Sequence, residues 1–326
     1  MTDQIINVQH LTKKYGTFTA VNDISFSVGE GEIFGFLGPN GAGKTTTIKM
    51  ICTIAEPTCG EISVNGYSTR RDQNTVRATV GLIFQDPSLD NNLTVHENLY
   101  FHAKLYHVPA GEIKPRIDAA LELVNLADRR KSIVRILSGG MKRRVEIARG
   151  ILHTPTILFL DEPTIGLDPQ TRKHIWEYIL ALKEKENMTM FLTTHYMEEA
   201  EYCDRIAVID NGKIIALDTP ANLKNMVRGD QVVIKTSDKD KTLKRLEEQT
   251  GFEPVIRGDN IHLTVPSGRD EIPKLFKLLG DDIVEFDVKK TSLDDVFLHL
   301  TGREIREDTA SAHDRMKQRA KMRRKI

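Results

Sequence analysis

A short apolar run, Ile33-Phe34-Gly35-Phe36-Leu37, leads directly into Gly38-Pro39-Asn40-Gly41-Ala42-Gly43-Lys44-Thr45-Thr46. The spacing is that of a phosphate-binding loop, which works only between a buried strand and the first turn of a helix. Backbone N–H groups can close around a phosphate where side chains are absent, hence Gly41 and Gly43. Lys44 adds a mobile positive charge and Thr45 a hydroxyl for Mg²⁺. The stretch predicts a strand over 33–37, a helix opening at Thr45, and an α/β fold that binds a nucleoside triphosphate.

The first 226 residues alternate strands and helices in keeping with that prediction. Ile5 to Leu11 and Asp23 to Val28 alternate apolar and polar residues, as half-buried antiparallel strands do, whereas Ile157 to Leu160 and Arg205 to Val208 read as fully buried. An α/β core with a mixed sheet is expected. Between Thr94 and Leu126 the spacing becomes helical, with Leu99, Ala103 and Tyr106, then Ile117, Leu121 and Val124, separated by a break at Pro109. This stretch predicts a helical insert, placed at about residues 86–150.

Two further motifs turn nucleotide binding into chemistry. The strand Ile157-Leu158-Phe159-Leu160 delivers Asp161 and Glu162 at its C-terminal end, where α/β sheets bind ligands. Phosphoryl transfer needs positioning and charge neutralisation, so one carboxylate for the metal and one for the attacking water is the expected division: Asp161 on Mg²⁺ through water, Glu162 on the nucleophile. Taken alone, paired acids at a strand end also read as a helix cap or a solvated turn. The second motif, Leu137-Ser138-Gly139-Gly140-Met141, opens a helix with apolar positions at Met141, Val145, Ala148 and Leu152 and with Lys142, Arg143 and Arg144 between them. Ser138 is placed as its N-cap. Bare N–H groups, a hydroxyl and a positive helix dipole there also make a second anion site, able to cap a nucleotide held by another subunit.

Composition narrows the partners. Lys plus Arg and Asp plus Glu each number 46 in 326 residues, so the formal net charge is zero and no global field recruits nucleic acid. Hydrophobic residues make up 40% and charged residues 28%, and no run reaches the roughly 18 apolar residues of a membrane span. The beginning, Met1-Thr2-Asp3-Gln4, lacks signal-peptide character, and a cytoplasmic chain is expected. Cys52, Cys59 and Cys203 form no C-x-x-C and suit reduced, structural thiols.

The order of phosphate loop, glutamine, Leu-Ser-Gly-Gly, strand with Asp-Glu, and a histidine after the next strand resembles the nucleotide-binding subunit of an ABC transporter. The resemblance implies ATP and Mg²⁺ as ligands. It implies that Gln85, after the strand Val80 to Phe84, touches Mg²⁺ and the attacking water, that Tyr15 stacks on adenine, and that His195, after Phe191-Leu192-Thr193-Thr194, contacts the γ-phosphate. Gly166-Leu167-Asp168-Pro169 resembles the loop coupling the two sites of a dimer. The signature ends in Met141 where a glutamine is usual, which leaves Ser138, Gly139 and Gly140 intact. The implied protein is a motor: a homodimer, or a pair with another ATPase subunit, clamps ATP and drives a separate membrane permease. A soluble ABC-type ATPase acting on ribosomes or DNA is the alternative, although no internal repeat or sustained heptads accompany it.

Residues 227–302 read as βαββαβ: strands over 231–236, 254–256, 261–265 and 283–288, with helices over 239–249 and 271–279. This is the order of a small ferredoxin-like sandwich. Its close, Ser292-Leu293-Asp294-Asp295-Val296-Phe297-Leu298-His299-Leu300-Thr301-Gly302, resembles the C-terminal motif of the daunorubicin and doxorubicin resistance branch, whose ATPases serve permeases of the ABC-2 exporter type. That likeness implies export of a hydrophobic small molecule, and a C-terminal segment that supports dimerisation or coupling. The stretch 303–326 reads as a basic tail, with Arg315, Lys317, Arg319, Lys321, Arg323, Arg324 and Lys325 among its last twelve residues. Such a run is either solvated and disordered or attracted to an anionic membrane surface.

Overall fold

The computed structural model describes residues 4–301 apart from 86, 87, 228, 259, 267 and 290. The basic run from Arg315 to Ile326 lies outside the described residues. The chain opens with the antiparallel pair β1 (Gln4–Tyr15) and β2 (Phe18–Gly29), then enters β3 (Ile33–Leu37), the phosphate loop and α1 (Lys44–Ile51). The helix thus opens one residue earlier than the motif suggests. β4 (Cys59–Val64) and β5 (Tyr67–Ser68) return to the first pair and complete an antiparallel sheet of order β2-β1-β4-β5.

Beyond α2 (Gln73–Thr79) and β6 (Val80–Ile83) comes the helical insert, with α3 (Val95–Leu105), α4 (Ala110–Leu123) and α5 (Gly139–Ile151). Each start has a local cause: Thr94 and Glu97 form a capping box at α3, Pro109 precedes α4, and the Ser138 hydroxyl caps α5. The core resumes with β7 (Ile157–Asp161), α6 (Pro169–Glu186), β8 (Thr189–Thr194), α7 (Met197–Ala200), the hairpin β9 (Arg205–Asp210) and β10 (Lys213–Asp218), and α8 (Pro220–Met226). The six-stranded sheet has the order β10-β9-β3-β8-β7-β6, parallel except for the β9–β10 pair.

The period of two along the central strands decides what packs where. Phe34 and Phe36 on β3, Phe159 on β7 and Phe191 on β8 face the antiparallel sheet. There Phe26 stacks on Phe34 with centroids 5.4 Å apart, and Phe36 lies 5.5 Å from Phe191. Ile33, Leu37, Leu158, Leu160, Met190 and Leu192 point the other way, into a core shared with the insert and α6. Within the insert, Leu99, Ala103, Ile117, Leu121 and Val124 are buried as their spacing requires, while Tyr106 lies just beyond α3 and stacks on His153. Burial pushes the thiols of Cys52 and Cys203 up, which keeps them inert, and Cys59 is exposed.

The last segment contains β11 (Asp230–Thr236), α9 (Lys239–Thr250), β12 (Val255–Arg257), β13 (Asn260–Val265), α10 (Gly268–Leu279), β14 (Ile283–Lys289) and α11 (Leu293–Thr301). Its four strands form an antiparallel sheet of order β12-β13-β11-β14 around a small core of Val232, Ile234, Leu246, Ile261, Leu263 and Leu275. α11 leaves that core: Leu293, Val296 and Phe297 join the cluster of Trp176, Met197 and Leu223. Among the described residues, no helix is long and apolar enough to cross a membrane.

Candidate functional site

Two tight approaches explain why the loop after β3 needs glycine. A Cβ on Gly38 would sit 2.2 Å from the Ile209 carbonyl, and one on Gly43, whose φ is 107°, would sit 2.5 Å from that of Ala20. The loop is braced by Ala42 N–H to the Pro39 carbonyl (3.2 Å), Gly38 N–H to the Thr194 carbonyl (3.2 Å) and Gly212 N–H to the Ala42 carbonyl (3.0 Å). Lys44 Nζ folds back onto the Gly38 carbonyl (2.7 Å) and the Pro39 carbonyl (3.1 Å).

β7 and β8 pair with Asp161 opposite Thr193, which brings a hydroxyl to the first acid. Asp161 Oδ1 accepts from Thr193 Oγ1 at 2.6 Å and from Thr45 Oγ1 at 3.0 Å. Burial raises its pKa from the usual carboxylate value, against the pull of these two hydrogen bonds. Thr45 and Asp161, one on the loop and one on the strand, therefore present oxygen ligands side by side.

Glu162 lies one residue past the strand with φ at 47°, a left-handed conformation that costs a bulky residue on the order of 1 kcal/mol. Its N–H donates to the Thr193 carbonyl at 3.1 Å and to Oγ1 at 3.0 Å, which hold the strained residue in place. Three side chains converge on its carboxylate. Oε1 lies 3.2 Å from Lys44 Nζ and 3.4 Å from His195 Nδ1, and Oε2 accepts from Gln85 Nε2 at 3.2 Å. The side chains of Lys44 and Glu162 are only 4% and 6% exposed. Burial alone would raise the Glu162 pKa, but His195 and Lys44 outweigh it and hold the carboxyl below its usual value. Burial lowers the Lys44 pKa, against the attraction of Glu162.

Ser138, Gly139 and Gly140 stand apart from this cluster. The Ser138 hydroxyl accepts from Met141 N–H at 3.3 Å, and a Cβ on Gly140 would meet Thr171 Cγ2 at 2.5 Å. Ser138 and Gly140, with Met141, Thr171 and Tyr178, line a cleft of about 520 Å³. Among the described residues they make no hydrogen bond to the loop of Gly38 to Thr46. Gly166 turns with φ at 73°, and Asp168 caps α6 by accepting from Thr171 N–H at 3.0 Å, with Pro169 as the first helical residue. Tyr15 ends β1 with 51% of its surface exposed and Lys13 Nζ 5.0 Å from its ring centre.

Sequence reasoning missed two members of this neighbourhood. Thr193 carries no motif of its own, and only the strand register reveals it. Arg143, read as one of a basic run, is 6% exposed and inserts between the loop at Gln85 and the acidic strand. No local signal sets it apart from Lys142 and Arg144, because its helical position falls between the apolar ones.

A family profile described as ABC transporter matches residues 21–165. The linearmycin resistance ATP-binding protein LnrL of Bacillus subtilis is 37% identical, covering 93% of this chain and all of that protein. A Nod factor export ATP-binding protein I of Ralstonia nicotianae is 38% identical over 93% and 95% of the two chains, and the daunorubicin resistance ATP-binding protein DrrA3 of Streptomyces coeruleorubidus 36% identical over 93% and 97%. Among solved structures, the dimeric post-hydrolysis state of the ATP-binding cassette MJ0796 bound to ADP and Pi matches with a TM-score of 0.60 and 27% identity. It covers 66% of this chain and 98% of that one.

Proposed function

The chain belongs to the ATP-binding proteins of the ABC transporter family, and on that footing we propose how its residues divide the work of ATP hydrolysis. It is an ATPase subunit of an exporter of the drug-resistance kind. Proteins of this family act as dimers and pair with membrane permease subunits. The observation that carries the residue assignment is the convergence of Lys44, His195 and Gln85 on Glu162, beside the Thr45–Asp161 pair.

The loop of Gly38, Pro39, Asn40, Gly41, Ala42, Gly43, Lys44, Thr45 and Thr46 is assigned to the phosphates and Tyr15 to the adenine. Thr45, Asp161 and Gln85 suit Mg²⁺, which takes hard oxygen ligands and keeps part of its water shell; their hydroxyl, carboxylate and amide supply that donor set. Bound there, the ion would neutralise charge on the phosphate oxygens. Lys44 exchanges its contact with Glu162 for the γ-phosphate. The freed carboxylate accepts a hydrogen bond from the attacking water and draws its proton. His195 holds the γ-phosphate from the other side.

Ser138, Gly139 and Gly140, at the positive end of α5, are assigned to the nucleotide of the facing subunit. ATP thereby binds the closed dimer better than the open one, the differential that drives a conformational cycle. We assign the permease to the ABC-2 type, place the subunit on the inner face of the membrane through that permease, and take its cargo to be a hydrophobic small molecule. The names of LnrL and DrrA3 support that cargo; the Nod factor relative widens the range. Residues 1–226 are assigned to the nucleotide-binding domain, with the helical subdomain at about 86–150. Residues 227–302 are assigned to a ferredoxin-like accessory domain, which the strand order β12-β13-β11-β14 supports. Residues 303–326 are assigned to a basic tail, either solvated or attracted to an anionic membrane surface.

Affinity purification from detergent-solubilised native membranes tests this reading. A stoichiometric polytopic membrane protein that alters the ATPase rate is expected. Recovery of ribosomes or nucleic acid in its place would return the weight to a soluble ATPase.

A further inference from the structure

One buried ion pair is not used by the hydrolytic chemistry above. Arg143 and Glu146 lie one helical turn apart on α5, with Nη1 3.1 Å from Oε2 and side chains 7% and 0% exposed. A buried pair of this kind adds little stability by itself and calls for another explanation. The contacts it makes supply one.

Arg143 Nε donates to the Pro163 carbonyl at 2.5 Å, Nη1 to the Phe84 carbonyl at 2.5 Å, and Nη2 to the carbonyls of Asp161 and Glu162, each at 3.4 Å. Glu146 Oε1 meanwhile accepts from Ser88 N–H at 2.7 Å. Phe84 and Ser88 lie on either side of the segment that begins with Gln85, and Asp161 to Pro163 carry the two acids. One guanidinium with its carboxylate partner therefore ties α5, whose first turn holds Ser138, to the backbone on both sides of the reacting centre. Arginine suits the task because its planar fork reaches several carbonyls at fixed angles, whereas a lysine ammonium is a single point charge.

Resting on the assignment of Glu162 as the group that activates water, we propose that Arg143, oriented by Glu146, is a positioning residue. It holds the backbone of Asp161–Pro163 and the Phe84 carbonyl next to Gln85 so that Glu162 keeps its left-handed conformation and its aim. The same contacts make the start of α5 move with the acids of its own subunit. The end of α5 assigned to a neighbour's nucleotide thus senses the state of the site in its own chain.

The test compares Arg143→Lys, the apolar replacement Arg143→Met with Glu146→Leu, and Glu162→Gln, each in the full chain and assayed with Mg²⁺ and ATP. Swapping a buried pair for apolar residues of similar volume preserves folding in favourable cases. Arg143→Lys, which keeps the charge, serves should the double variant not fold. Misplacing a catalytic group by about 1 Å costs about 100-fold in rate. We therefore expect kcat to fall about 10- to 100-fold in the Arg143 variants, with KM and the affinity for a fluorescent ATP analogue within about twofold of the parent, because no contact of Arg143 reaches the phosphate loop. A folded double variant, or Arg143→Lys, that turns over at more than half the parental rate overturns the proposal. So does a loss of ATP affinity in step with kcat, the mark of a merely structural role. Glu162→Gln separates the two levels: if it alone keeps parental turnover, the assignment of Glu162 is wrong; if it is dead while the Arg143 variants are not, only the positioning idea fails.

Discussion

Replacing Glu162 by Gln should move ATP binding and ATP turnover in opposite directions. Lys44 Nζ is held 3.2 Å from Glu162 Oε1, and both side chains are shielded from water. At that separation and an effective dielectric of about 20 the attraction is roughly 5 kcal/mol. Desolvation of both groups cancels much of it, leaving the roughly 1.5–3 kcal/mol typical of a hydrogen bond to a charged group. A γ-phosphate that takes Lys44 must first break this pair. Gln at the position keeps the shape and one acceptor but removes the charge, so Mg·ATP should bind about ten- to a hundredfold more tightly, at 1.4 kcal/mol per factor of ten. Hydrolysis should fall about 10²- to 10⁴-fold, the usual contribution of a positioned base. The assay pairs titration of a fluorescent ATP analogue with phosphate release, and size-exclusion chromatography in ATP should show a persistent dimer. Weaker binding by the variant, or turnover within twofold of the parent, would refute the reasoning, because the Lys44–Glu162 pair would then not compete with nucleotide.

Three further outcomes are expected. Lys44→Ala and Ser138→Ala should each be inactive alone, the first through loss of ATP binding and the second with its own ATP contact kept. Mixing them should restore part of the ATPase rate through one rebuilt composite site per mixed dimer, and no recovery would argue against nucleotide sandwiched between subunits. Phe297→Ala empties a site 1% exposed beside Trp176 and Leu223; it should cost about 3–5 kcal/mol in urea denaturation and speed protease cleavage within 227–302, whereas an unchanged midpoint would show that α11 is not held by this contact. Burial, with Arg149 and His153 adding to it, pushes the His102 imidazole down to about 3. His102 thus stays neutral in the folded chain while the unfolded chain takes up a proton below about 6.5, so its contribution is complete above that pH and shrinks as pH falls towards 3, by about 1.4 kcal/mol per unit at most. His102→Phe, which can keep the ring contact with Tyr106, should flatten stability between pH 4 and 6.5, and an unchanged slope would assign the acid sensitivity elsewhere.

What the amino-acid order determined by itself was everything set by local spacing. The phosphate loop, the apolar strand ending in Asp161, the Ser138 cap and the strand and helix pattern of the last segment all follow from periods of two and 3.6 and from residues able to cap or turn, and the structure places them within a residue, except that α10 begins three residues before the expected 271. Tertiary structure decided what depends on partners distant in the chain. Strand register put Thr193 beside Asp161 and Glu162, although nothing around Thr193 sets it apart. Burial converted Arg143 from one of three adjacent cations into a clasp on four carbonyls, because only packing of the insert against the sheet removes it from water. The same holds for α11: its stretch was legible only as a likeness to a C-terminal motif, and that its apolar face belongs to the core around Trp176 rather than to its own sheet is a matter of long-range packing, which no local pattern encodes.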